Sequence, residues 1–215
     1  MIAEPERRMI LTYAPSPAGA EGLTALFALD DRLAETVRTT SEPMLGQIRL
    51  QWWHDALIAL DSAAAPPEPV LQAIAERIVA AGTPGSALAP LALAWQVLLQ
   101  SELGPAEVDA FAQRGRTLFG VAATVLGARA DAFVAAGGEG WALADLAGKL
   151  SDPREAGLVR AAAAGRLDRA CAARWPRALR PLGAMAHLAR LDLSDVSAGS
   201  PRRVARALWH RLTGR

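Results

Sequence analysis

Apolar positions recur every three or four residues along most of the chain, which is the spacing of one face of an α-helix. Proline and glycine interrupt this pattern at helix-length intervals, and no stretch alternates apolar and polar residues as a half-buried strand does. The pattern predicts an all-α fold. Its helices are expected near 18–38, 43–61, 68–81, 86–103, 105–135, 139–150, 154–174, 177–190 and 201–213. The segment 86–103 is apolar almost all round, so we expect the other helices to enclose it.

The composition agrees with a helical protein and limits its partners. Hydrophobic residues, mainly Ala and Leu, make up 52% of the chain and aromatic residues only 5%, which favours helices over sheets. The 215 residues predict a single domain over 1–215. A net charge of +1 gives no general field for nucleic acid, which we do not expect as a partner. The single cysteine and an N-terminus without an apolar signal-peptide core predict a cytoplasmic protein.

One predicted helix carries a carboxylate in the middle of its apolar face. In 18–38, helical spacing places Asp30 among the inward-facing leucines, whereas Asp31 and Glu35 lie on the flank of that face. A buried ionised carboxylate needs a cation, hydrogen bonds or a raised pKa. Asp30 therefore belongs either to a structural ion pair or to a functional site, and the pattern leaves both open.

The next predicted helix offers a partner for this carboxylate. Arg49 projects from the face that we predict to be buried, which contains Leu45, Ile48, Trp52, Ala56 and Leu60. Arg49 either pairs with Asp30 between the two helices or binds an anionic ligand, with Trp52 and Trp53 forming an apolar wall. Tryptophans at helical spacing are more commonly part of a core than of a ligand site, so the ion pair is the simpler interpretation.

Together these two segments resemble the first conserved region of the squalene and phytoene synthase family. That family carries an Asp-Asp-x-x-Asp-Glu pattern followed by a helix of the type Arg-x-x-Trp-Trp-x-x-x-Leu. The corresponding residues here read Asp30-Asp31-Arg-Leu-Ala34-Glu35 and Arg49-Leu-Gln-Trp52-Trp53-His-Asp-Ala-Leu57. The resemblance continues in weaker form through 115–120 and 140–146 and covers most of the chain to about residue 152.

The resemblance implies an isoprenoid-synthase-like helical bundle around a central cavity. In that family, two facing aspartate-rich helices hold magnesium ions, which bind the diphosphates of prenyl substrates. On this implication Asp30, Asp31 and Glu35 would form one Mg²⁺ site, and Asp145 or Asp152 would contribute to the other. Arg49 would then contact diphosphate.

Two positions depart from the family pattern. Ala34 replaces a carboxylate of the first motif, and Lys149 replaces an aspartate of the second. We expect Lys149 and Asp145 to form an i,i+4 pair at the surface, and Asp152, followed by Pro153, to be either a displaced ligand or a helix boundary. These departures predict a non-catalytic relative that binds an apolar or prenyl ligand or acts as an assembly or scaffold factor. The alternative is a magnesium-dependent head-to-head prenyltransferase.

The C-terminal segment predicts a basic amphipathic helix at 201–213. Val204, Leu208 and Leu212 share one side, and Arg202 and Arg206 lie opposite. The connection at 194–200 looks flexible, which would leave this helix mobile. The helix either docks on its own bundle or binds a protein partner or an anionic membrane, which would place the protein at the membrane periphery.

Overall fold

The protein is described by a computed structural model that covers residues 4–100 and 102–215. Within these residues the chain forms ten α-helices and no strand, which confirms the predicted all-α class. The helices are α1 Glu4–Leu11, α2 Pro17–Arg38, α3 Pro43–Ala59, α4 Pro69–Ile74, α5 Pro90–Gln96, α6 Pro105–Val125, α7 Ala132–Ala147, α8 Pro153–Ala172, α9 Arg180–Asp192 and α10 Pro201–Thr213. A π-helical turn extends α4 over Ala75–Val79, and 3-10 turns occupy Gly85–Ala87, Val97–Leu99 and Arg177–Leu179.

Local sequence signals set most of the helix ends. Proline occupies the first turn of most helices, where its missing N–H costs no hydrogen bond. The helix predicted over 105–135 instead ends at Val125, because Gly127 takes a left-handed conformation with φ 75°. Consequently α7 begins at Ala132, earlier than predicted. The short helix α1 was not predicted.

The most enclosed helix is α7 rather than α5. The predicted enclosed segment 86–103 forms α5, which packs against α2, α3 and α6 but leaves Leu93 exposed. In contrast, α7 packs against α6, α8 and α9 and is buried continuously over 136–147. Buried apolar side chains from α1 to α9 join in one core. No helix of the described residues is both long and apolar enough to cross a membrane.

Two glycines bring the backbones of α6 and α7 into contact. A Cβ atom added to Gly115 would lie 1.8 Å from the carbonyl oxygen of Gly138, and one added to Gly138 would lie 2.1 Å from that of Gly115. No side chain fits between the helices at this crossing. The glycine pair therefore fixes the separation of α6 and α7, and with it the positions of the polar residues that the two helices carry inward.

The predicted inward face of α3 is wrong. Its buried residues are Gly46, Leu50, Trp53 and Leu57, whereas Leu45, Ile48 and Trp52 are exposed. Both sides of α3 carry apolar residues at helical spacing, so periodicity alone could not choose between them. A close contact decides the orientation, because a Cβ atom at Gly46 would lie only 2.8 Å from the side chain of Leu99.

Helix α10 docks on its own bundle, against α9, but with its polar side inward. The buried residues are Arg203, Ala207 and His210, while the predicted apolar side of Val204, Leu208 and Leu212 faces outward. Arg203 donates from Nε and Nη2 to the two carboxylate oxygens of Glu6, at 2.7 and 2.8 Å, and also pairs with Asp192.

Two histidine rings, tilted by 55° to each other, complete the contact between α10 and α9. The rings of His187 and His210 lie 4.7 Å apart. Burial, together with neighbouring cationic groups, lowers the pKa of His187 to about 3 and that of His210 to about 4, which keeps both rings neutral near pH 7. The inner side of α10 is thus fixed by specific polar contacts rather than by apolar packing.

Candidate functional site: a guanidinium between two buried carboxylates

Asp30 lies inward on α2, as predicted, and is only 2% exposed. Arg114 of α6 donates two parallel hydrogen bonds to its carboxylate, from Nε to Oδ1 at 2.7 Å and from Nη2 to Oδ2 at 2.6 Å. The indole Nε1 of Trp95 donates a third hydrogen bond to Oδ1 at 3.0 Å. The bidentate geometry is that of a strong, charge-assisted pair, and it satisfies the carboxylate without a metal.

The same guanidinium also binds the second carboxylate of the site. Nη1 of Arg114 donates to Oδ2 of Asp145 at 3.0 Å, and Nζ of Lys149 donates to that oxygen at 2.8 Å. The expected surface position of Asp145 is wrong, because α7 is buried on this side, but its i,i+4 pair with Lys149 is confirmed. Arg114 therefore ties α2 and α7 together from α6.

Aromatic rings enclose the guanidinium between the carboxylates. Its central carbon lies 4.4 Å from the ring centre of Trp95 and 4.6 Å from that of Trp141. Phe111 lies 5.5 Å away on the same side of α6. A planar, delocalised cation suits such stacking, whereas a compact hydrated ion does not. The aromatic rings around position 114 thus suit the planar side chain of arginine.

Opposite charges shift the pKa values of Asp145 and Arg114 towards their ionised forms. Burial alone would raise the pKa of Asp145, but the charges of Arg114 and Lys149 outweigh it, and the pKa lies below its ordinary value. Burial likewise works to lower the pKa of Arg114, but Asp30 and Asp145 hold it above its ordinary value. Within the described residues, the two carboxylates of Asp30 and Asp145 face the two cations of Arg114 and Lys149.

A small cavity of about 230 Å³ opens beside this network. Its lining brings together Asp30, Asp31 and Asp145, which sequence reasoning singled out, with Ala34 and Lys149, the two positions that depart from the family pattern. The remaining lining residues are Arg7, Ile10, Phe27, Arg38, Arg114, Trp141 and Met185. Residues from α1, α2, α6, α7 and α9 therefore meet at one place.

The predicted pairing of Arg49 with Asp30 is wrong. Arg49 is exposed on α3, and its Nη1 donates to the hydroxyl of Thr40 at 3.1 Å. Asp30 faces α6 instead, so it is out of reach of Arg49. With Glu35, Trp52 and Trp53, Arg49 lines a separate surface groove of about 480 Å³. Of the two tryptophans, only Trp53 belongs to the core, while Trp52 is 48% exposed.

The other predicted ligands do not converge with Asp30 on a metal position. Asp31 is exposed and paired with Arg7, and Glu35 pairs with Arg32 at 2.7 Å. Asp152 caps α8 by accepting hydrogen bonds from two backbone N–H groups, which makes it a helix boundary. In the described part of the chain, no three His, Cys, Asp or Glu side chains are placed to hold a metal ion together.

Sequence reasoning missed Arg114, although a signal for it was present. Arg114 lies three residues after Phe111 and four before Leu118, both buried, so it shares the inward face of α6. It also directly precedes Gly115, where the weaker part of the family resemblance begins. A search for a cation on the inward face of every helix would have found it.

Comparison with known proteins identifies no relative. No family model matches the chain, and neither a curated protein nor a solved structure matches it. Its function must therefore be inferred from the side chains that meet in the structure, together with the motif resemblance.

Proposed function

We propose that this chain is a non-catalytic relative of the squalene and phytoene synthases that works as an assembly or scaffold protein. The observation that carries the proposal is the guanidinium of Arg114 between Asp30 and Asp145. In the family that the motifs resemble, magnesium ions occupy the space between the two aspartate-rich helices. Here a cation of the chain itself binds both carboxylates and occupies the place where a metal ion would bridge them to a diphosphate.

The arrangement of the two motifs supports an isoprenoid-synthase-like bundle. Asp30 and Ala34 are four residues apart on α2, and Lys149 follows Asp145 by four residues, just past the C-terminal end of α7. All four line the same cavity, as the family's two motifs would do across a central cavity. The same positions argue against retained metal chemistry, because a methyl group and an ammonium group stand in place of two carboxylates.

The cavity beside Arg114 is small for a pair of prenyl substrates. Small-molecule pockets commonly occupy about 300–1,000 Å³, whereas this cavity has about 230 Å³. A head-to-head prenyltransferase must hold two prenyl diphosphates at once. The alternative of a magnesium-dependent prenyltransferase therefore has little support in the geometry.

The exposed side of α3 supplies a surface on which a scaffold protein can bind its partner. Ile48 and Trp52 are 59% and 48% exposed, and Met44 continues the same apolar stripe. The groove beside them contains Arg49. An exposed apolar stripe next to a cation suits an amphipathic helix whose polar edge carries a carboxylate. We assign partner binding to this side of α3.

A photoreactive amino acid at Ile48, introduced into the chain in its native cells, is expected to crosslink to one discrete partner through a helical segment. Adding Trp52→Ser should abolish that product, because it removes the neighbouring apolar contact. The matched control places the same photoreactive group at Leu158, an exposed leucine of α8, which should give no product. Crosslinks only to a second copy of the chain, or none at all, would contradict partner binding by α3.

Restoring both carboxylates, with Ala34→Asp and Lys149→Asp, is expected to create a Mg²⁺ site, because the two new carboxylates would line the cavity and are not the ones that Arg114 engages. The ion at roughly ten times its dissociation constant should raise the unfolding midpoint of the double variant by about 3–5 °C. Thr24→Asp with Arg169→Asp is the matched control, since it changes the charge equally at two exposed positions outside the cavity. If the restored and control variants respond alike, the two motifs do not face each other as proposed.

A further inference from the structure

The outward side of α10 is an apolar ridge formed by Val204, Leu208, Trp209 and Leu212. Leu212 is 75% exposed and Trp209 58%, and the other two are exposed as well. The helix contains no Asp or Glu, and Arg202 and Arg211 are exposed beside the ridge. Apolar side chains of this size seldom group at a surface that meets only water. We therefore expect another surface to cover the α10 ridge.

The ridge is presented by a helix that is firmly held. Arg203 is fully buried and paired with Glu6 and Asp192. At the end of α10, the backbone N–H of Trp175 donates to the carbonyl of Gly214 at 2.8 Å. Turning the ridge inward would bury no equivalent ion pair and would expose Arg203. The outward orientation of the ridge is therefore the stable one.

A basic depression lies next to the ridge and shares Leu212 with it. This arginine groove has a volume of about 620 Å³ and is lined by Arg177, Arg180 and Arg211 together with Leu212 and residues 12–15. Three guanidinium groups thus surround a space that no Asp or Glu among the described residues lines. Guanidinium groups in such a cluster suit a phosphate oxygen better than a neutral ligand.

Two polar atoms of the groove lack a partner within the described residues. Tyr13 is only 7% exposed, and its hydroxyl group makes no hydrogen bond. The Nε atom of Arg180 makes none either. Burial raises the pKa of Tyr13 even though Arg211, 4.8 Å from its ring centre, works in the opposite direction. The hydroxyl therefore stays protonated and can donate a hydrogen bond. Buried donors without an acceptor point to a missing anionic ligand.

We propose that this end of the molecule binds the surface of an anionic phospholipid membrane. The α10 ridge enters the interface, with Trp209 at headgroup depth, and the arginine groove takes the phosphate of one lipid headgroup. Charge complementarity favours this occupant over a protein, because the guanidinium cluster, the unpartnered donors and the apolar ridge are contiguous. The proposal is independent of partner binding by α3.

Co-sedimentation with phosphatidylcholine vesicles that contain about a third phosphatidylglycerol should show binding that vesicles of phosphatidylcholine alone do not. Leu208→Ser with Leu212→Ser should weaken this binding more than tenfold, because both residues are expected to leave water on binding. Arg177→Gln and Arg211→Gln should weaken it about fivefold each. The matched control, Leu93→Ser with Leu158→Ser, removes two other exposed leucines and should leave binding unchanged.

The Tyr13→Phe variant distinguishes between two roles of this hydroxyl: donating a hydrogen bond to a lipid headgroup and stabilising the fold. Because this hydroxyl has no partner in the free protein, its removal should not lower the unfolding midpoint, but it should reduce the preference for phosphatidylglycerol vesicles. Equal binding to both kinds of vesicle would overturn the proposal. Release of the unaltered protein from the vesicles by millimolar inorganic phosphate would also overturn it. A ridge variant that loses self-association in sedimentation velocity but still binds vesicles would overturn it as well.

Discussion

Replacing Arg114 with methionine is expected to lower the free energy of unfolding by about 3–5 kcal/mol at pH 7, because Asp30 and Asp145 then lose their shared cation. Methionine keeps much of the volume between Trp95 and Trp141, so the loss reports mainly the unpaired carboxylates. Thermal or urea unfolding measures the effect, which corresponds to roughly 10 °C or more in the midpoint.

The loss of stability in this variant should depend on pH in one definite direction. In the unaltered chain the pKa of Asp145 is depressed, so its contribution to stability is present above the unfolded value of about 3.9 and is lost as pH falls through the folded value. Without Arg114, burial, the largest single influence on the pKa of Asp145, is opposed mainly by Lys149, so the pKa of Asp145 should rise. The difference in stability between the two proteins should therefore shrink as pH falls from 7 towards 5.

Arg129→Met is the control for this prediction. Arg129 is exposed in the connection between α6 and α7, and its replacement should change the free energy of unfolding by less than about 0.5 kcal/mol. If Arg114→Met costs no more than Arg129→Met, or if its deficit grows on acidification, the guanidinium does not neutralise the two carboxylates as described.

Replacing Gly115 with alanine is expected to destabilise the fold by about 4 kcal/mol or more. The new methyl group would lie 1.8 Å from the carbonyl oxygen of Gly138, which is a backbone atom and cannot rotate away. Helices α6 and α7 would have to separate, and Arg114 would move relative to Asp145. Unfolding by urea, with tryptophan fluorescence as the signal, measures the loss.

Gly120→Ala on the same helix is the matched control. A Cβ atom at Gly120 would meet no other atom within 4 Å. Alanine there should stabilise the protein by about 0.5–1 kcal/mol, because it restricts the unfolded chain and favours the helix. Similar effects of the two substitutions would contradict a backbone contact between α6 and α7.

Local spacing located most of the helices but could not set all of their ends or orient all of them. The bounds of α10 agree with the predicted 201–213, and α2 differs by one residue from the predicted 18–38. The side of α10 that faces inward depends on the pair of Arg203 with Glu6, near the other end of the chain. Contacts between distant segments leave no trace in the periodicity of one helix.

The candidate site was predicted in part. Helical spacing places Asp30 inward and shows that it needs a cation, and it offers Arg49 of the next helix as one possible partner, but spacing within a helix does not show which other helix lies opposite Asp30. The structure brings in Arg114 instead, 84 residues from Asp30. The burial of Asp145 was missed because the charge of Lys149 suggested a surface pair, whereas that lysine lies at the mouth of the cavity.

We propose that the guanidinium of Arg114 stands where the family holds its metal and that the chain for this reason does not catalyse prenyl transfer. This proposal is tested by thermal unfolding of the unaltered protein with Mg²⁺ and farnesyl diphosphate, each alone and both together, since a ligand that binds the native state raises the midpoint. We expect the same midpoint in all four conditions, including the protein without additions. A rise that requires both Mg²⁺ and farnesyl diphosphate would contradict it and favour a prenyltransferase.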